Sequence, residues 1–143
     1  MILMKKIITI ILLSLISIYF VFNAYKNIIT SQKNMCVKIE TEELILKIEG
    51  QETFAVFFYQ NNCISCKQVT SVLNEYIQKT GVNIYALDLS SASKPGFIAS
   101  VIGIEESPVI IFYDEGEEVM RLRGVFSLEE IMQIGGDYFE NEK

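Results

Sequence analysis

Neither histidine nor tryptophan occurs in the 143 residues, proline occurs twice and cysteine three times. A structural zinc site takes four thiolate or imidazole ligands, so a chain with three cysteines and no histidine cannot complete one by itself. A metal role for the closely spaced pair Cys63 and Cys66 is thereby all but excluded within one chain, and no metal is expected. Acidic side chains are missing from the start of the chain: all eighteen lie at Glu40 or later, against eight basic residues from Lys38 onward, a formal charge of −10. That balance argues against nucleic acid as a partner and suits a solvated surface that stays soluble beside an anionic membrane. Internal repeats and low-complexity tracts are also lacking.

Hydrophobic residues are abundant, at 50% of the chain, and the excess sits at the front. From Ile7 to Tyr25, "IITIILLSLISIYFVFNAY" carries no charge and comes close to the roughly 20 residues that span a bilayer. Lys5 and Lys6 ahead of it would also suit a signal peptide. The apolar run is longer than the usual ~7 to 15 residues of such a signal, and Phe22 and Ala24 make a poor small-residue cleavage site. Cys36 follows "QKNM" rather than small residues, which disfavours a lipoprotein. The expectation is an uncleaved anchor over residues 1–26, a polar stalk over 27–35 and a folded domain over 36–143. Positive charges flank the anchor on both sides, so their count does not orient it. The four-residue head before Lys5 is too short to be worth exporting, which favours the domain on the outer face.

Within the domain, "TEELILKIEG" predicts a helix that Thr41 can cap and Gly50 stops, with Leu44, Ile45 and Ile48 on one face. "TFAVFFY", Thr53 to Tyr59, is β-branched and aromatic without polar alternation, as a central strand covered on both faces would be. A helix follows from about Cys63 to Thr80, with Asn62 as a cap candidate, Val69, Leu73, Tyr76 and Ile77 on one face and Gly81 at its end. Asn83 to Leu89 reads as a strand, and Pro95 as the first turn of a further helix. "PVIIFYDEGEEVMRLRG" predicts a hairpin turning at Asp114 to Glu117, and Ser127 with Glu130 forms a capping box for a last helix. The order is α, β, α, β, α, β, β, α, with a short strand at "CVKIE" in front. Crossover and hairpin rules then predict a mixed sheet flanked by helices, an α/β fold.

Cys63 and Cys66 stand where the buried strand hands over to a helix. A purely structural disulfide is poorly served by this spacing, because closing so short a loop removes little unfolded-state entropy. A redox pair is better served. Helix-terminal N–H groups and the helix dipole would stabilise a thiolate at Cys63, below the ordinary cysteine pKa of about 8.5. Cys66, one turn further in, could then attack a mixed disulfide formed at Cys63. Lys67 would favour thiolate, and Glu105 and Glu106 would oppose it if they approached the pair. Cys36 lies outside the motif and reads as a spare thiol near the stalk rather than a third redox centre.

With "CISC" at the end of a central strand, "ESPVIIFYDEGEEV" with a proline opening the next strand, and Gly124 in "RLRG", the chain resembles the thioredoxin-like superfamily over about Glu40 to Ile134. The resemblance implies a thioredoxin-like mixed sheet and a thiol–disulfide oxidoreductase with Cys63 and Cys66 as catalytic residues. It also implies a cis bond at Pro108, with Ser107 and Pro108 packed at the cysteine pair and binding substrate. Protein or peptide thiols and disulfides are the implied partners, together with a redox partner in the same membrane, and no cofactor is implied. Thioredoxins carry tryptophan before the first cysteine, Gly-Pro between the two, and an aspartate six residues before the first. Here those positions are Asn62, Ile64 with Ser65, and Phe57. The chain is more similar to membrane-tethered extracytoplasmic members, including thioredoxin-like accessory proteins of bacteriocin export in Gram-positive bacteria. A non-catalytic accessory subunit of a peptide export system is the competing expectation.

Overall fold

The computed structural model describes residues 1–30 and 35–139, in two compact units, Met1–Lys33 and Asn34–Lys143. The first unit is a single helix, α1 (Ile2–Thr30), whose stretch Lys6–Ala24 is long and apolar enough to cross a membrane. Side chains from Ile10 to Phe22 are exposed on every face, where a helix of a soluble core would bury one stripe. Three of its polar side chains bond within the helix: the Ser14 hydroxyl donates to Ile11 O at 2.8 Å, Ser17 to Ser14 O at 2.9 Å and the Asn23 amide to Tyr19 O at 3.0 Å. Such back-bonding removes the need for water as a partner. Helix α1 continues through Thr30 into the segment expected as a stalk, and residues 31–34 of that segment lie outside the described residues.

The second unit runs β1 (Val37–Lys38), α2 (Thr41–Glu49), β2 (Phe54–Tyr59), α3 (Ile64–Thr80), β3 (Ile84–Asp88) and α4 (Pro95–Phe97). Helix α4 continues as a π-helical turn (Ile98–Ile102), followed by β4 (Val109–Asp114), β5 (Glu117–Arg123) and α5 (Leu128–Phe139). The element order expected for the domain is the one found. The five strands form one sheet in the order β1-β3-β2-β4-β5. Strands β1 and β2 both pair with β3 in parallel, and β4 runs antiparallel to β2 and to β5.

Alternation along β2 divides the core. Phe54, Val56 and Phe58 pack with Leu44 of α2, Leu87, Ile98 and Ile111 on one face. Ala55 and Phe57 pack with Cys66, Val69, Leu73 and Tyr76 of α3, Ile110 and Ile131 of α5 on the other. Each large side chain taken fully from water contributes roughly 1.5 to 3 kcal/mol, so a strand buried on both faces is the natural centre of the fold.

Two helix starts differ from expectation. Glu40, not Thr41, occupies the N-cap of α2 and makes no side-chain cap bond, while Thr41 is buried in the first turn. Ile39 is held to the sheet by its N–H to Ala86 O at 3.0 Å, so the helix begins directly after it. At α3 the cap is Cys63 rather than Asn62, which is exposed. The capping box of α5 forms as expected, with Ser127 N–H donating to Glu130 Oε2 at 2.7 Å and Glu130 N–H to Ser127 Oγ at 3.2 Å.

The β4–β5 turn has positive φ at both central residues, Glu115 at 48° and Gly116 at 77°, the sign that a two-residue hairpin matching strand twist requires. Gly116 also presses on the end of α2: its N–H donates to Glu52 O at 3.1 Å, and a Cβ there would collide with Ile48 O. Gly81, at φ 72°, has nothing within 4 Å of the equivalent Cβ position. Gly81→Ala should therefore cost about 1 kcal/mol, the left-handed penalty alone, and Gly116→Ala should cost clearly more. Denaturant unfolding of both variants in detergent checks this, and equal losses would contradict the role given to the contact.

Candidate active site

Strand β2 ends at Tyr59, and four residues later the chain reaches Cys63 with φ −89° and ψ 115°, an extended residue that closes α3 at its N-terminus. A helix leaves its first N–H groups unpaired, and serine, threonine, aspartate or asparagine usually supplies the acceptor. Here the acceptor is sulfur: Cys66 N–H donates to Cys63 Sγ at 3.0 Å. Cys63 and Cys66 are joined in a disulfide. Cys63 is half-buried, whereas Cys66 is 3% exposed and packs among Ala55, Phe57 and Val69. The Ser65 hydroxyl lies 3.2 Å from Cys63 Sγ. Because a disulfide sulfur carries no hydrogen, Ser65 is the donor in this oxidised form.

The peptide bond between Ser107 and Pro108 is cis. Ser107 lies beside the cysteines, with its hydroxyl and carbonyl oxygens each 4.0 Å from Cys63 Sγ. Pro108 is buried and its carbonyl accepts from Gly124 N–H at 2.9 Å. Cys63, Cys66, Ser107 and Pro108, which are far apart in sequence, thus meet at one end of the central strands. Lys67, Glu105 and Glu106 are exposed. Cys36 is half-buried: burial pushes its thiol up to about 12, and it packs on the α3 side of the sheet outside the disulfide.

Two contributions escaped sequence reasoning. In the sequence Ser65 stands out only as a departure from Gly-Pro, although a hydroxyl one residue before the second cysteine of a helix cap is placed to reach the first sulfur. Asp88, at the end of β3, is the other. Its carboxylate accepts from the Asn61 amide and, at 2.8 Å, from Ser90 N–H, while Leu89 N–H donates to Tyr59 O at 2.8 Å. These bonds tie the loop ahead of Cys63 to the neighbouring strand. Burial, and then the Asp88 carboxylate, raise the Tyr59 phenol above its ordinary value. Phe57, 1% exposed, fills the position where thioredoxins carry an aspartate, so the surroundings of Cys66 on that strand are apolar.

The fold is shared with solved structures. Chloroplastic thioredoxin z matches with a TM-score of 0.60 at 22% identity, over 72% of this chain and 93% of the other. Desulfothioredoxin from Desulfovibrio vulgaris Hildenborough matches with 0.59 at 23% identity, over 71% and 96%. A mutant thioredoxin from Halobacterium salinarum matches with 0.60 at 17% identity, over 73% and 91%. At such identities these likenesses establish the fold. A sequence model of one family, Thioredoxin, matches residues 28–134. A domain of that family with the Cys63 and Cys66 pair is a thiol–disulfide oxidoreductase in general terms, acting on protein thiols. With the match spanning well over half of its length, the chain belongs to the thioredoxin family.

Proposed function

We propose that the protein is a bacterial membrane-anchored thiol–disulfide oxidoreductase whose domain, residues 36–143, works on the extracytoplasmic side, carried by an anchor over 1–26 and a stalk over 27–35. The observation that carries the chemistry is the asymmetry of the pair: Cys63 is half-buried at the helix N-terminus with Cys66 N–H on its sulfur, while Cys66 is buried. In the reduced form the same N–H and the helix dipole favour the Cys63 thiolate. That thiolate attacks one sulfur of a substrate disulfide, forming a mixed disulfide and releasing the other sulfur as thiolate. Cys66, having lost its proton, attacks Cys63 Sγ, forming the Cys63–Cys66 disulfide and releasing the second substrate thiolate. Two electrons pass to the substrate, and the reverse sequence oxidises a dithiol. Ser107 and Pro108 bind the substrate, since a proline without N–H leaves the Ser107 backbone to pair with an extended segment. Ile64, 77% exposed between the cysteines, adds an apolar contact suited to a protein or peptide.

The apolar length of α1 supports the anchor. Protease added to intact cells or protoplasts should digest the domain. Complete protection would overturn the sidedness, and a mature protein lacking residues 1–25 would overturn the anchor.

Roles within the pair are tested by trapping. Cys66→Ser should accumulate mixed disulfides through Cys63, and Cys63→Ser should not; the opposite pattern would reverse the assignment, and an unchanged phenotype in Cys63→Ser cells would favour the non-catalytic accessory subunit. After reduction at pH 8, an alkylating reagent should modify Cys63 well before Cys36. A thiol held up to about 12 is protonated there, and its thiolate appears only as the pH climbs.

A further inference from the structure

We propose that Arg121 is a positioning residue for the Ser107 and Pro108 arm of the site, acting by clamping the helix end from which that arm departs. Arg121 lies in the middle of β5, opposite Ile111 of β4. Its side chain is 15% exposed and reaches across to the end of the π-helical turn, with Nη1 donating to Gly103 O at 2.9 Å and Nη2 to Ile102 O at 2.7 Å. Glu118, three residues earlier on the same strand, holds the guanidinium from the other side, with Nε donating to Glu118 Oε1 at 2.7 Å and Nη2 to Oε2. The last carbonyls of a helix have no partner in the helix itself and favour a cation. A planar guanidinium can serve two of them and both oxygens of a carboxylate at once, four acceptors where an ammonium has three N–H donors.

The clamp matters for the site because of what lies between it and the cysteines. Ile104 packs back on the turn and donates its N–H to Ile98 O at 3.1 Å, so it moves with the turn. Glu105 and Glu106 are exposed. The next residues are Ser107, 4.0 Å from Cys63 Sγ, and Pro108. Pro108 O is held at 2.9 Å by Gly124 N–H, just past the end of the strand that carries Arg121. Residues 103–108 are therefore suspended between two points of one strand system, the Arg121 side chain at one end and the Gly124 backbone at the other. Loosening the first point leaves Ser107 free to drift from the line on which an extended substrate must lie.

This inference rests on the proposed role of the Ser107 backbone in receiving substrate, and the test separates the two. The full-length protein in detergent is compared with Arg121→Met, Arg121→Lys and Glu118→Gln by amide hydrogen exchange and by reduction of the Cys63–Cys66 disulfide. Two reductants are used: dithiothreitol, which needs no strand pairing, and an extended dicysteine peptide. In Arg121→Met, exchange in the segment 103–109 should accelerate while β2 stays protected. The rate with the peptide should fall by about tenfold or more through misplacement of the binding backbone, with the dithiothreitol rate within twofold. Arg121→Lys should fall between, and Glu118→Gln should shift both readouts in the same direction by less. Unchanged exchange in 103–109 overturns the clamp. Faster exchange with equal slowing of both reductants overturns its role in positioning. An unmodified protein that reacts no better with the peptide than with dithiothreitol would instead count against the substrate role of Ser107.

Discussion

One hydrogen bond organises the site: the Cys66 N–H that points at Cys63 Sγ across 3.0 Å. It exists because helix α3 must leave its first N–H groups without intrahelical partners, and because the residue at its N-cap is a cysteine. The helix begins there because β2, buried on both faces, ends four residues earlier and the chain must turn back over the sheet. Burial of "FAVFFY" thus determines where a partial positive charge meets a sulfur. The cap and the reactive centre are the same atom. Stability and reactivity are coupled as a result, since a thiolate at Cys63 would strengthen the bond that starts the helix.

Around that bond the polar groups are hydroxyls and amides rather than carboxylates. Ser65 and Ser107 both face Cys63 Sγ, and Phe57 replaces an acidic side chain behind Cys66. The carboxylate that the site does use, Asp88, is occupied by Asn61 and Ser90 and holds a loop. The strongly acidic character of the domain therefore stays on its surface, where it serves solubility, and out of the environment of the cysteines.

Both arms of the site are held from a distance. The Cys63 arm is tied through Asn61 to the end of β3, and the Ser107 arm through Ile102, Gly103 and Pro108 to β5 and the residue after it. The two strands lie on opposite sides of β2 in the sheet order β1-β3-β2-β4-β5. Cross-bracing by rigid elements is how a fold keeps two loops in fixed apposition when neither contains enough buried surface to hold itself.

Element order, the doubly buried strand, the hairpin, the capping box of Ser127 and Glu130, and the pair Cys63 and Cys66 are legible along the chain, because each is written in local periodicity or in residues a few positions apart. The proline at 108 was also legible, though only through resemblance to a family. Long-range packing, by contrast, chose the partners. Thr41 and Asn62 have the chemistry of caps, yet Glu40 and Cys63 take those places, because the sheet contact of Ile39 and the path out of β2 set where each helix begins. Asp88 and Arg121 look like ordinary charged residues at a strand end and on an edge hairpin. Their roles arise only when packing brings them to Asn61 and to the carbonyls of Ile102 and Gly103, contacts across 27, 19 and 18 residues that no local pattern encodes.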